Sequence, residues 1–275
     1  MTPKPLNEIE EFCLQLFDLI GANHNVARAC VNSVMHGTRF GVDSHGVRLV
    51  PHYIKVLETG RLNKNPSIQF KSLKPSSGLL DGDHSQGALP TYTAMDYAID
   101  MAKKTGIAAV GVTNSSHFGP AGAYTLYAAK KNMIALAFCN SDSFVRLYDG
   151  AERFHGTNPI SMAVPTGGSN PWLFDMATSS VPFNRVELYR SLNQKLPSDV
   201  ASDVSGNSTE DPHIAEMLDP LGAKFGFKGA GLGGVSEILS AVLTGMKLSP
   251  ELLPMSGPDM ATPRELGAFV IAIDP

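Results

Sequence analysis

Two histidines stand in closely similar settings. His45 lies in Asp43-Ser44-His45-Gly46, and His117 lies in Ser115-Ser116-His117-Phe118-Gly119. Imidazole titrates near neutral pH, so it can give or take a proton at a reacting oxygen or nitrogen. An adjacent hydroxyl such as Ser44, or a carboxylate, can orient its ring. Arg48 follows His45 by three residues, and a guanidinium binds a carboxylate through two parallel hydrogen bonds. Each feature also has a plainer reading. Asp-Ser-His-Gly at a helix start is ordinary capping chemistry, and His117 can be a loop residue that caps the next helix. Asp175, in Trp-Leu-Phe-Asp-Met-Ala-Thr-Ser, is either a buried partner of a histidine or a helix cap.

Other chemistries find less support. His45 and His52 lack the spacing of a zinc-binding His-Glu-x-x-His helix, and no Ser elbow or phosphate-binding Walker loop occurs. The three cysteines, Cys13, Cys30 and Cys139, show no metal spacing, and Cys13 and Cys30 sit among core residues at helical intervals. Residues 229–234, Gly-Ala-Gly-Leu-Gly-Gly, satisfy the Gly-x-Gly-x-x-Gly pattern. A dinucleotide fingerprint needs a strand directly before it. Here the preceding residues hold two glycines and no β-branched side chain, so a Rossmann turn is not expected. Lys224 and Lys228 nearby either hold a phosphate or carboxylate or are solvated. His24, His36 and His213 read as surface or core residues, His84 as a turn residue, and Arg146 as solvent-facing.

The elements that would position these groups are legible from periodicity. Apolar residues at helical spacing predict helices over 6–21, over 25–41 with Asn23 or Asn25 as cap, and from about Leu49 to Gly60. The Asp-Ser-His-Gly turn then falls in the break before the third helix. Strands are expected at 67–73 and 77–83, with a long amphipathic helix over 88–106. Residues 107–112 and 133–139 read as apolar strands joined by a helix over 122–131. That pattern suggests a covered, parallel arrangement with a right-handed crossover. Ligands of parallel sheets bind beyond the carboxyl ends of the strands, which would open His117 and Asn140-Ser141-Asp142 onto one crevice. Further strands are expected around 160–165, 171–179 and 266–274, and helices over 181–197 and 234–245. The last helix would carry Ile238, Leu239, Val242 and Leu243 on its apolar face.

Composition bounds the partners. Of 275 residues, 43% are hydrophobic and 17% charged, the balance of a globular chain that can bury a substantial core. The net charge of −4 with dispersed cations argues against nucleic acid. No signal-peptide pattern or transmembrane stretch is evident, and a reducing cytoplasm is expected. No metal is expected.

Six motifs, in order, closely resemble the malate/L-lactate dehydrogenase family, which also holds ureidoglycolate and sulfolactate dehydrogenases, diketogulonate reductase and piperideine/pyrroline-2-carboxylate reductases. They begin at Gly41 (GVDSHGVRLVPHYIKVLETGRLN), Asp81 (DGDHSQGALPTYTAMDYAI), Val110 (VGVTNSSHFGPAGAYTLYAA), His155 (HGTNPISMAVP), Phe174 (FDMATSS) and Phe227 (FKGAGLGGVSEILSAVLTG). The resemblance covers nearly the whole chain. It implies a mixed α/β fold, with helices flanking a mixed sheet, that binds NAD or NADP without a Rossmann fingerprint. Residues 1–62 would form a helical N-terminal subdomain, and 63–275 the NAD(P)-binding and catalytic domain. It implies hydride transfer between a nicotinamide and a small 2-hydroxy or 2-oxo acid. Reduction of a cyclic imino acid is the alternative, and a catalytically silent binding protein on the same scaffold a further one. It implies a homodimer. On this resemblance Ser44 and His45 match a relay and proton donor, His117 a proton acceptor, and Asp175 a relay or cofactor-loop residue. Ser141, Asp175, Met176 and Ala177 match dinucleotide contacts, as, more loosely, do Lys224 and Lys228. The family continues beyond the strand that ends this chain, with helices and a Pro-Gly-Glu-like loop that reaches the cofactor. A shortened sequence or an incomplete cofactor site is the expectation there. Where this chain has Lys-Phe-Gly-Phe-Lys, relatives more often carry a tyrosine near the lysine.

Overall fold

The structure, a computed structural model, describes residues 3–275. Three helices come first: α1 (Leu6–Leu19), α2 (His24–Arg39) and α3 (Val50–Glu58). Asn23 caps α2 by accepting the Asn25 N–H, and Pro51 sits in the first turn of α3, where its missing N–H costs nothing. Gly60 follows α3 at φ +84°, a conformation that favours glycine. Phe17, Val31, Val34, Met35, Tyr53 and Leu57 close a hydrophobic cluster among these helices.

A seven-stranded sheet forms the larger body. Its strands are β1 (Gln69–Lys74), β2 (Ser77–Asp81), β3 (Ile107–Ser115), β4 (Ile134–Cys139), β7 (Ile160–Val164), β8 (Trp172–Met176) and β11 (Leu266–Ile273), in the spatial order β1-β2-β3-β11-β4-β7-β8. Between β4 and β7 lie the short strands β5 (Val145–Arg146) and β6 (Arg153–His155). They form a second, four-stranded sheet with β9 (Ala201–Ser202) and β10 (Met217–Leu218). Helices α4 (Ala88–Thr105) and α5 (Gly122–Ala129) pack on the large sheet around Met95, Ile99, Val110, Val112 and Val270. Two more helices follow, α6 (Phe183–Ser191) and α7 (Phe227–Glu237), the latter extended by a π-helical turn over Ile238–Val242.

Two expectations need correction. β3 and β4 do run in the same direction, but they are not neighbours. β11 lies between them, antiparallel to both, and only β2 and β3 pair in parallel within the large sheet. The alternation of apolar residues marks a strand without naming its neighbour. The second correction concerns α7 and its π turn. Ile238, Val242 and Leu243 are exposed, at 57%, 60% and 62%, while Ser236, Glu237 and Ser240 are buried. Small residues allow that polar face to approach β11 closely, since a Cβ at Gly267 would collide with the Ser240 carbonyl. The glycines 229–234 lie inside α7 and follow a 3-10 turn, not a strand, so no Rossmann turn forms. No helix of the described residues is long and apolar enough to cross a membrane.

Candidate active site

His45 ends a short 3-10 turn, Asp43–His45, packed on α2. Gly37 of α2 makes this packing possible: a Cβ there would stand 2.5 Å from the His45 carbonyl oxygen. Thr38 fastens the same loop by accepting the Val47 N–H at 3.0 Å. His117 follows the carboxyl end of β3, and Gln86 Nε2 donates to its carbonyl oxygen at 3.1 Å. The two imidazoles meet as a stacked pair, with ring centroids 5.6 Å apart and planes inclined by 25°.

Each ring is held from behind. Ser44 Oγ lies 2.9 Å from His45 Nδ1. The hydroxyl of Tyr53, a fully buried residue on α3, lies 2.6 Å from His117 Nδ1. Burial lowers the pKa of both histidines. For His117, the positive potential of His45, Arg264 and His52 adds to that effect and takes it well below the usual range. Burial pushes the Tyr53 phenol well up, so it stays protonated.

Both rings line a cavity of about 510 Å³, with Leu49, Ser141, Ser143, Phe144, Arg153, Asn184 and the segment 249–256 on its other walls. His45 and Ser44 also line a second cavity of about 380 Å³, together with Asp175, Met176 and Ala177. Thr157 and Pro182 are likewise shared, so the cavities form one cleft with His45 at its waist. Both β4 and β8 run in the direction of β3, as the antiparallel pairings to β11 and β7 require. The carboxyl ends of all three strands therefore deliver His117, Ser141 and Asp175 to the same edge. The shared crevice expected from a parallel sheet exists, although the sheet is mixed.

Asp175 Oδ2 accepts the Gly122 N–H at 2.7 Å, at the N-terminus of α5, where a carboxylate also meets the helix dipole. Burial of the carboxyl pushes its pKa up to about 6, against that hydrogen bond, while the residue's outer surface opens onto the cleft. Of the two readings of Asp175, the helix cap is the one formed: it ties β8 to the N-terminus of α5 and lines the second cavity, and among the described residues no hydrogen bond joins it to a histidine.

Three sequence candidates stand elsewhere. Arg48 is exposed and lines neither cavity. Gly46, extended at φ −92° and ψ −157°, separates two 3-10 turns, so the three-residue interval from His45 does not place Arg48 on the same side. Lys224 lines a separate cavity of about 160 Å³, and exposed Lys228 stands 5.3 Å from the Phe225 ring. Arg146 is not solvent-facing but pairs with buried Asp219 at 2.6 Å. Arg153 is the one arginine or lysine on the wall of the larger cavity, held by the Glu216 carbonyl and carboxylate.

The cleft suits an extended dinucleotide. The N-terminus of α6, with Pro182, Phe183 and Asn184 on the cavity wall, has no side-chain cap and leaves its first N–H groups open to a phosphate. Ser143 Oγ is buried on the same wall without a partner. Sequence reasoning missed Tyr53, the α6 N-terminus and the 249–256 wall. Tyr53 reads as core at helical spacing, and its hydroxyl partner comes from 64 residues away.

Comparison with known proteins finds relatives along nearly the whole chain. A family model described as malate/L-lactate dehydrogenase matches residues 5–275. The malate dehydrogenase of Pyrococcus abyssi is 38% identical over 248 residues, 88% of this chain and 68% of that protein. Ureidoglycolate dehydrogenase (NAD(+)) of Escherichia coli O157:H7 is 31% identical over 255 residues, 93% of this chain and 72% of that protein. Among solved structures, Δ1-piperideine-2-carboxylate reductase from Pseudomonas syringae superposes with a TM-score of 0.90 at 25% identity, covering all of this chain and 82% of that one.

Proposed function

The chain belongs to the malate/L-lactate dehydrogenase family, and from that premise we propose that His117 exchanges the proton and His45 holds the substrate in its reaction. The enzyme is an NAD(P)-dependent oxidoreductase of the 2-hydroxy acid dehydrogenase type. The nicotinamide, when bound, supplies or takes up the hydride at the carbon that carries the oxygen. Ser141, Met176, Ala177 and the α6 N-terminus are the groups that would hold the dinucleotide along the cleft. Lys224 and Lys228 lie away from it and are not assigned to it.

The observation that carries this reading is the stacked imidazole pair on one cavity wall. The Gly119 N–H, 3.4 Å from His117 Nδ1, favours Nδ1 as an acceptor in the resting site. In the other tautomer the Tyr53 oxygen accepts from Nδ1–H, which leaves the Nε2 lone pair free to take the proton of a substrate hydroxyl. After proton uptake the tyrosine still accepts from Nδ1, so one contact serves both protonation states. In the reverse direction the charged ring returns its proton to the oxygen as negative charge develops there. His45, oriented by Ser44, donates to the same oxygen or to the adjoining carboxylate. Arg153 is the cationic side chain on this wall and is the candidate partner for the substrate carboxylate. Two buried rings this close disfavour simultaneous protonation, which keeps one of them neutral.

The test is a spectrophotometric assay at the reduced-nicotinamide band, with a panel of 2-oxo acids and the cyclic imino acid pyrroline-2-carboxylate. Wild type turns over at least one 2-oxo acid. His117→Ala and His45→Ala each lose about a hundredfold or more in kcat with folding intact, the usual scale of a positioned proton-transfer group. A near-normal rate in either variant removes that histidine from the mechanism. The likeness to a piperideine-carboxylate reductase favours a second reading, imino acid reduction, and turnover of pyrroline-2-carboxylate alone would select it. We also propose a homodimer, supported by the exposed apolar stripe Leu232, Val235, Ile238 and Val242.

A further inference from the structure

We infer that Glu237 is a positioning residue that holds the non-histidine wall of the substrate cavity in place, an assignment that rests on the dehydrogenase reading above. Glu237 ends α7 and is 6% exposed, and among the described residues no lysine or arginine pairs with it. Five donors converge on its carboxylate. Oε1 accepts the Ser249 N–H at 2.6 Å and Asn140 Nδ2 at 3.5 Å. Oε2 accepts Ser249 Oγ at 2.6 Å and Asn158 Nδ2 at 2.6 Å, with His155 Nδ1 at 3.4 Å. Burial pushes the carboxyl up, but these donors outweigh it and hold its pKa below the usual carboxylate range. The group is an anion at neutral pH. Hydrogen bonds to an ionised acceptor are the strong ones, and a buried charge without them would be costly.

The donors are what make this carboxylate more than a local staple. Ser249 opens the segment 249–256, which lines the cavity that holds both imidazoles. Asn158 passes the constraint on: its Oδ1 accepts the Ser141 N–H at 3.2 Å, while Ser141 Oγ accepts the Thr157 N–H at 3.1 Å. Ser141 and Thr157 line the same cavity. Asn140, directly before Ser141, donates to Glu237 and accepts the Gly267 N–H at 3.3 Å. One buried anion on α7 therefore joins three chain segments, 140–141, 157–158 and 249–256, that face the histidines from elsewhere on the cavity wall. Asn158 adopts φ +33°, a strained backbone that its own contacts to Glu237 and Gly233 maintain. Placement of a substrate against a proton donor is sensitive to shifts of about 1 Å, which cost on the order of a hundredfold in rate.

Glu237→Gln tests the assignment. The amide keeps the size but turns one acceptor into a donor facing other donors. The variant is compared with wild type by circular dichroism, by amide hydrogen exchange and by steady-state kinetics corrected for the folded fraction. The expected result is a folded protein with faster exchange in 140–143 and 249–256 and a kcat about ten- to a hundredfold lower. A merely structural role would lower the melting temperature and leave the kcat of the folded fraction unchanged. Wild-type exchange in these segments together with wild-type kcat overturns the assignment. Should Glu237→Gln fail to fold, Ser249→Ala takes its place, since it keeps the carboxylate and its backbone partner. Unchanged exchange and kcat in that variant overturn the assignment equally. Hydrogen exchange does not need turnover, so an inactive wild type would sink the dehydrogenase reading without touching the wall measurement.

Discussion

Burial strips water from both imidazoles, and their proton affinity falls as a result. The sign for catalysis follows. Oxidation of a hydroxy acid needs the neutral ring, so kcat/KM in that direction is flat at neutral pH and falls as pH drops through a value below 6.5. Reduction of an oxo acid needs the charged ring, so its kcat/KM rises as pH falls toward that value. Profiles recorded in both directions check this, and a reduction rate that climbs above pH 8 would contradict it. Tyr53→Phe removes the hydroxyl behind His117 Nδ1. We expect about a tenfold to hundredfold loss of kcat with little change in dinucleotide affinity, measured by fluorescence titration of the reduced cofactor. At this scale the sequence was informative where chemistry is unusual for a loop. A histidine beside hydroxyls and glycine stands out, and both such histidines reached one cavity. Tyr53 and Glu237 did not stand out, because a tyrosine or glutamate at helical spacing looks like core or surface until its distant partners are known. Arg48 misled for a different reason: interval counting assumes a continuous helix, and extended Gly46 breaks it.

The elements that carry the site show what local pattern can and cannot reveal. Helices α1 to α5 and strands β1 to β4 follow from apolar periodicity and from Gly21, Gly60 and Gly106 at helix ends, all with positive φ. Strand order does not follow from it. β11 comes from the far end of the chain to lie between β3 and β4, and nothing in the local sequence of any of the three marks that neighbour. The α7 region inverts its expected faces for a related reason: close backbone approach rewards Gly and Ser on the packed side over larger apolar residues on the other. The same small-residue logic controls the His45 turn. Gly37 of α2 lets that turn approach, and Gly37→Ala would force its backbone away from the His45 carbonyl. The expected outcome is a folded enzyme whose kcat falls at least tenfold, since helix propensity itself improves by about 0.5–1 kcal/mol with alanine. Urea denaturation alongside kinetics checks it, and a variant as active as wild type would show that the turn relaxes without moving the ring.

On the scale of the whole molecule, the N-terminal helices and the large sheet both contribute to the cleft. The N-terminal helices supply His45 and, through Tyr53, the support of His117, while the large sheet supplies His117, Ser141 and Asp175 from strand ends at one edge. Division of labour between the helical layer and the sheet explains why the reacting groups are far apart in sequence and close in space. The exposed stripe Leu232, Val235, Ile238 and Val242 is the kind of surface that a second copy covers. Light scattering after size exclusion should give a mass of two 29.3 kDa chains, and a single-chain mass at micromolar concentration would refute the dimer. The central claim is that both imidazoles face the reacting carbon–oxygen group in one cavity. A crystal structure with reduced dinucleotide and an unreactive 2-oxo acid analogue tests it most directly. The account predicts the analogue's oxygen at hydrogen-bond distance, about 2.6–3.2 Å, from a ring nitrogen of His117, with His45 on the same ligand. An analogue seated elsewhere, with neither imidazole touching it, would contradict the account.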